Sequence, residues 1–118
     1  MLSEDRKINQ VDLFELYENI KIKICEGWVA RDIGEILLNM DDQHISEAED
    51  WIHKAIEADG RNGMKWHLGR DYALYAELLK RKGEQLNAKE NLNKAIEILK
   101  ECGAVGWVEK YEKELATI

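Results

Sequence analysis

Proline is absent from this sequence of 118 residues, and phenylalanine occurs once, at Phe14. Runs of β-branched residues, which favour strands, are scarce as well. The chain therefore lacks the residue that most strongly breaks helices, and its charged fraction of 35% is typical of helices with a solvated face. These features predict an all-α chain. The hydrophobic fraction of 45% suits one small domain with one core, spanning residues 1–118.

Cysteine is also rare, and the two that occur, Cys25 and Cys102, are far apart and match no metal-binding spacing. The first ten residues contain no apolar core of the kind found in signal peptides. No apolar run approaches the length of a membrane span. These absences predict a cytoplasmic protein with reduced thiols and no membrane partner.

Positive charge is the third feature in short supply, because 24 acidic residues against 17 basic ones leave a formal net charge of −7. The one basic cluster, residues 80–82, lies between Glu77 and Glu84. It is interpreted as the last turn of a helix, where cations interact favourably with the helix dipole. A nucleic-acid-binding surface needs concentrated positive charge, so no nucleic-acid partner is expected.

A repeated ten-residue stretch is the most informative feature that is present: AEDWIHKAIE begins at Ala48, and AKENLNKAIE begins at Ala88. Five of the ten positions are identical, two alanines among them. A small residue also recurs in the helix before each stretch, at Gly34 and at Ala76. A small side chain lets two helix backbones come close where they cross, so the repeat predicts two similar helical hairpins.

Apolar residues recur every three or four positions along most of the chain, which is the spacing of a helical stripe. Gly83 and Gly103 each follow the end of such a stripe. Ser46 and Glu49 fit a capping box at the start of another helix. The predicted layout is about six antiparallel helices, at 9–23, 26–40, 46–59, 64–82, 84–101 and 105–116.

Seven residues of the second predicted hairpin share a characteristic spacing: Tyr72, Tyr75, Ala76 and Leu79, then Ala88, Leu92 and Ala95. They resemble the tetratricopeptide repeat, whose consensus is W-x2-L-G-x2-Y followed by A-x3-F. The interval from Ala48 to Ala88 is longer than the standard repeat of about 34 residues, and the usual proline is absent. Longer helices and glycine-based turns account for both departures. The resemblance implies an α-α superhelix.

The stretch from about Gly27 to Leu115 also looks like the C-terminal repeat array of bacterial signalling proteins that carry a nucleotide-cyclase or ATPase module. The segment ILKECGAVGW, residues 98–107, is the most specific part of this resemblance. None of those catalytic modules fits into this chain. The resemblance implies a regulatory or scaffolding piece, either free-standing or part of a larger protein.

The concave groove of such repeat proteins binds extended peptides or helices. Arg31 and Arg70 are candidates for holding a carboxylate of the partner, and Trp28 is a candidate apolar anchor. The alternative interpretation is that the charges are ordinary solvated pairs and that Trp28 is covered by the first helix. The residues assigned to the groove are Trp28, Arg31, Glu35, Leu38, His67, Arg70, Ala73, Glu77 and Lys80.

No pattern in the sequence predicts a metal, a cofactor or catalysis. His44, His53 and His67 lack the i, i+4 spacing and the paired cysteines of a metal site, and a structural or surface role is expected for each. Cys25 and Cys102 are expected to be small core or boundary residues. The densest acidic clusters lie on a loop and a first helical turn, and no glycine-rich phosphate loop occurs, so an enzyme is not expected.

The N-terminal segment contains more apolar residues than one helical stripe can hold. Some of them must face away from the neighbouring helix, and such a surface usually marks an interface. A free-standing chain is predicted to form a two-fold homodimer through Val11, Leu13, Phe14 and Tyr17. The leading function is a scaffold for a protein or peptide partner. The alternatives are a self-assembling module, a fragment of a larger regulator, and a ligand sensor or enzyme.

Overall fold

The computed structural model describes the backbone of residues 2–118, and the side chains of residues 24–118 together with Glu15, Glu18, Asn19 and Ile22. Over this range the chain is all-helical and contains no strand, as the sequence predicted. Within residues 2–118 there are five α-helices and one short 3₁₀ turn, Asp42–His44. The α-helices are α1 (Leu2–Met40), α2 (Ile45–Arg61), α3 (Lys65–Arg81), α4 (Gln85–Glu101) and α5 (Val105–Thr117).

The first two predicted helices, 9–23 and 26–40, are a single helix, so the prediction of six helices was wrong. α1 is 39 residues long. Among residues 2–118, positive φ angles occur only at three later glycines, so nothing turns the backbone near the expected break. Gly27, just after that break, serves close packing instead, because a β-carbon there would lie 1.9 Å from Oδ1 of Asp59. The helix therefore continues past it.

The ends of α2, α3 and α4 share one arrangement, which recurs at equal intervals at Gly63, Gly83 and Gly103, whose φ angles are 68°, 81° and 71°. After α3, the amide of Gly83 donates to the carbonyl of Lys80 at 3.0 Å, and the next amide donates to Leu79 at 2.9 Å. This is the Schellman arrangement, which favours glycine because residues with a β-carbon rarely adopt the left-handed conformation. The predicted helix ends at Gly83 and Gly103 are confirmed.

The start of α2 differs from the predicted capping box. α2 begins at Ile45, one residue before Ser46, and no side chain of the described residues caps it. Asp41 caps the preceding 3₁₀ turn instead, accepting a hydrogen bond of 2.9 Å from the amide of Gln43. Glu49, the expected second member of the box, instead accepts hydrogen bonds from Tyr75 of α3 and from Lys82, the residue after α3. A contact between helices has therefore replaced the local one.

Small residues lie where the helices cross, as the repeat predicted. A β-carbon on Gly34 would be 2.8 Å from Cγ1 of Ile52, so α1 and α2 touch there. A β-carbon on Gly69, which the repeat did not predict, would be 2.7 Å from Cγ of Leu99, so α3 and α4 touch there. Ala76, the predicted counterpart of Gly34, is buried. Four alanines of the repeated stretches are fully buried: Ala48, Ala55, Ala88 and Ala95.

Two apolar clusters join the helices. One connects α1, α2 and α3 around Leu38, Ile52 and Leu78, and the other connects α3, α4 and α5 around Leu92 and Leu99. α5 covers the end of the second cluster with its apolar side. Of the helices in the described part of the chain, none is both long enough and apolar enough to cross a membrane.

Candidate functional site

A groove between α1, α3 and α5 contains a cavity of about 310 Å³. Its lining residues recur at helical spacing along each of the three helices. Five of the nine residues predicted for a groove line it: Arg31, Glu35, Arg70, Ala73 and Glu77. Sequence reasoning missed the other four: Leu74, Lys110, Tyr111 and Glu114. Three of these belong to α5, which contributed no residue to the predicted groove.

The remaining four predicted residues do not line the cavity. Leu38 is 1% exposed and belongs to the first apolar cluster, because it lies on the inward-facing stripe of α1. Its assignment to the groove was wrong. Trp28 and His67 contact each other, with ring centroids 4.8 Å apart. Lys80 forms an ion pair with Glu77, at 3.6 Å between Nζ and Oε2.

Arg31 is not free to hold a partner's carboxylate. The residue is only 6% exposed. Its Nη1 atom lies 3.2 Å from Oδ1 of Asp71 and 3.2 Å from Nδ1 of His67, and it also donates to the His67 carbonyl. The expected role of Arg31 is therefore corrected. Its charge is matched by an aspartate 40 positions away, which no local sequence pattern indicated.

Arg70 lies between aromatic rings at the edge of the groove. Its guanidinium carbon is 4.0 Å from the ring centroid of Trp107 and 5.3 Å from that of Trp66, distances typical of cation–π contacts. Its Nε atom is buried and has no hydrogen-bond partner among the described residues. Burial raises the pKa of the neighbouring Tyr111 hydroxyl, and Arg70 opposes that rise. Arg70 is thus held in place by rings rather than by a carboxylate.

Four charged side chains of the groove form no ion pair with a described residue, two of them acidic and two basic. Glu77 is paired, because Lys80 and Arg81 lie 3.6 and 3.7 Å from its carboxylate. The side chains of Glu35 and Glu114, on opposite walls, form no ion pair with any described residue. The two basic side chains are Arg70, described above, and Lys110, which lies over the rings of Trp107 and Tyr111.

A buried polar cluster lies where α1, α2 and α3 meet. Asp59 and Asp71 are both 0% exposed, and their carboxyl groups contact each other. Burial and then the Asp59 carboxyl raise the pKa of Asp71 to about 9, against the opposing effect of Arg31. Burial, followed by the charge of Arg31, lowers the pKa of His67. Within the described residues, both oxygens of Asp59 and Oδ2 of Asp71 receive no hydrogen bond.

The same place in the second hairpin is apolar. Gly27 contacts Asp59 as Gly69 contacts Leu99, so Asp59 occupies the position of a core leucine. The other equivalent positions are found by counting along the chain. A residue of α1 corresponds to one of α3 at the interval from Gly27 to Gly69, and a residue of α2 or α3 corresponds to one of α4 or α5 at the interval from Asp59 to Leu99. The pairs are Trp28 and Arg70, Arg31 and Ala73, His67 and Trp107, and Asp71 and Tyr111. Four polar residues of the first junction, Arg31, Asp59, His67 and Asp71, thus correspond to apolar or aromatic residues of the second: Ala73, Leu99, Trp107 and Tyr111.

A second cavity, of about 660 Å³, lies between α1 and α2 on the side away from α3. Ile22, Val29 and Trp51 contribute apolar surface to it, and Lys54 and Arg61 lie at its rim. The apolar stripe of α1 continues beyond the cavity to Ile36 and Met40, which are 62% and 60% exposed. The side chains of the residues predicted to form a dimer, Val11, Leu13, Phe14 and Tyr17, lie outside the described residues.

No group of three or more metal-ligating side chains comes together among the described residues. His44 bonds to Asp41, with 2.6 Å between Nδ1 and Oδ1, and this contact raises the pKa of His44. The ring of His53 packs against the ring of Tyr75 in α3. Cys25 is half-buried, as expected, whereas Cys102 is exposed, because it is the residue that ends α4 before Gly103.

Comparison of the chain with protein-family models, with curated proteins and with solved structures finds no match.

Proposed function

We propose that this protein is a tetratricopeptide-like scaffold that binds an extended segment of a partner protein in the groove between α1, α3 and α5. Three features support the proposal: repeated helix crossings at small residues, a cavity open along three helices, and walls that carry unpaired charge. A free-standing protein and a regulatory part of a larger bacterial signalling protein both agree with this role. The free thiols agree with a cytoplasmic setting.

The partner segment is proposed to carry a lysine or arginine that enters the groove between Glu35 and Glu114. This choice rests on which charged side chains of the groove already have a partner. Arg31 is already bound to Asp71, and Arg70 is stacked on Trp107. Lys110 lies over the rings of Trp107 and Tyr111 in the same way. The two glutamates have neither an ion pair nor a ring contact among the described residues, so they are the groove charges left to bind a cation.

The test uses two pools of short fluorescent peptides, one with lysine and one with glutamate fixed at the centre. Fluorescence anisotropy should show saturable binding of the lysine pool. Glu35→Gln and Glu114→Gln should each weaken this binding about tenfold, because the carboxylate charge that pairs with the lysine is lost. Glu109→Gln, on the exposed side of α5, is the matched control and should change nothing. Equal binding of both pools, or equal binding by all three variants, contradicts the proposal.

A second candidate function is self-assembly through α1. The exposed stripe of Ile22, Val29, Ile36 and Met40 favours it, because a monomer rarely leaves such a surface uncovered. α1 also passes the end of α2, since Glu26 pairs with the last residue of that helix. This register leaves the segment 2–21 beyond the end of α2, and a helix of that length spans about 30 Å.

Sedimentation over a concentration series tests this second candidate. A dimer that separates on Val29→Glu or Ile36→Glu would support assembly through the described stripe, whereas separation only on Leu13→Asp or Phe14→Asp would support the N-terminal segment. Glu109→Ala serves as the control. A monomer at high micromolar concentration rejects self-assembly of the free chain.

A further inference from the structure

The Asp59–Asp71 pair contains more negative charge than its surroundings can balance. Each helix packed at this junction contributes: Arg31 from α1, Asp59 from α2, and His67 and Asp71 from α3. Two carboxylates face one guanidinium, because the depressed pKa of His67 leaves it neutral near pH 7. Asp32 and Arg70 also act on His67, with opposite signs. Fully ionised, the cluster would bury an uncompensated negative charge, which is strongly unfavourable.

The hydrogen-bond pattern has the same imbalance. Two ionised carboxylates are acceptors only, and three of their four oxygens receive no hydrogen bond within the described part of the chain. A proton between the two groups would supply the missing donor and reduce the charge of the pair to −1. Arg31 would then neutralise the pair. Two carboxyl groups in contact share a proton in this way because both cannot ionise together.

We propose that the Asp59–Asp71 pair holds one shared proton at neutral pH, and that this proton fastens the α1–α2 hairpin to α3. The second junction has no equivalent, because Leu99 and Tyr111 occupy the matching positions. The first junction therefore depends on pH and the second does not. Gly27 is needed for this contact, since its missing side chain makes room for the Asp59 carboxyl.

The sign of the pH dependence follows from where the proton is released. The pKa of Asp71 is raised to about 9 in the folded chain, whereas an unfolded aspartate has a pKa of about 3.9. Between these values the folded chain retains a proton that the unfolded chain releases. The free energy of unfolding therefore falls as pH rises across this window. The folding equilibrium constant should fall about tenfold per pH unit from this one proton.

Urea unfolding at pH 7.0, 7.5, 8.0 and 8.5 tests the proposal, in a range where His67 is neutral in both states. The wild-type constant should fall steeply, whereas Asp71→Asn should remove the part of the slope that this proton contributes and leave the part that comes from the raised pKa of His44. Asp59→Leu, which copies Leu99, should reduce it, because Asp71 would stay buried but would face Arg31 without a second carboxyl. The control Asp50→Asn, at an exposed site on α2, should keep the wild-type slope.

Carbon-13 NMR of the wild-type carboxyl groups provides a measurement that needs no variant to fold. One titration step of the pair should lie above pH 7. If both groups titrate below pH 6, or if Asp71→Asn and Asp59→Leu keep the wild-type slope, the shared proton is rejected. Neither measurement needs a groove partner, so the outcome is independent of peptide binding.

Discussion

Asp59 shows how one residue changes the character of a whole junction. It continues the buried stripe of α2 that includes Ile52 and Ala55, and its counterpart Leu99 is a fully buried core residue. A carboxyl group at such a position needs room and a partner, and Gly27 and Asp71 provide them. The polarity of this junction therefore depends on residues from three helices.

Gly27→Ala should destabilise the protein by about 2 kcal/mol or more, because the new β-carbon would overlap the Asp59 carboxyl. Thermal and urea unfolding measure the loss. Gly60→Ala is the matched control within a helix, since nothing lies within 4 Å of a β-carbon there, and it should stabilise by up to about 1 kcal/mol. The loss should shrink when Gly27→Ala is combined with Asp59→Ala. A Gly27→Ala variant as stable as the wild type would show that the contact is not tight.

The helices are arranged as elements of 17 residues joined by three-residue turns, from α2 to α4. Two such units, each a helix and its glycine-containing turn, separate Ala48 from Ala88, and this explains the length of the repeat. The sequence analysis predicted the turns at Gly83 and Gly103. It predicted the buried alanines as well, because identical spacing in two stretches indicated identical packing.

Ala88→Leu should lower the free energy of unfolding by about 1–3 kcal/mol, because Ala88 is fully buried at the crossing of α3 and α4. Ala48→Leu should behave similarly at the equivalent crossing of α1 and α2. Ala116→Leu, at an exposed site on α5, is the control and should be nearly neutral. Urea unfolding decides the matter, and an Ala88→Leu variant with an unchanged midpoint would argue against the shared register of the two hairpins.

The whole molecule carries a formal net charge of −7, and this field acts on any approaching partner. An acidic protein attracts a basic segment before contact is made, and dissolved salt screens that attraction over about 10 Å at 0.1 M. The unpaired glutamates of the groove therefore agree with the charge of the entire chain.

Association of a lysine-containing peptide should slow severalfold between 50 and 300 mM sodium chloride, whereas its dissociation rate should change less. Stopped-flow fluorescence measures both rates. A peptide of the same length with glutamine in place of lysine is the control. An association rate independent of salt would show that the net charge does not guide the partner to the groove.

The sequence by itself determined the all-helical class, the small residues at the crossings, and two of the three glycine turns. These features are local, since helical spacing, alanine repeats and glycine conformation depend on residues close together in the chain. Five residues that it assigned to a groove line one cavity: Arg31, Glu35, Arg70, Ala73 and Glu77. Only the tertiary structure decided the rest. The break expected in α1 is absent, Leu38 is buried, Arg31 is bound to Asp71, and α5 forms a wall of the groove. Each of these depends on a contact between distant helices. The energy of such a contact depends on both helices together, so it cannot be deduced from the sequence of either one alone.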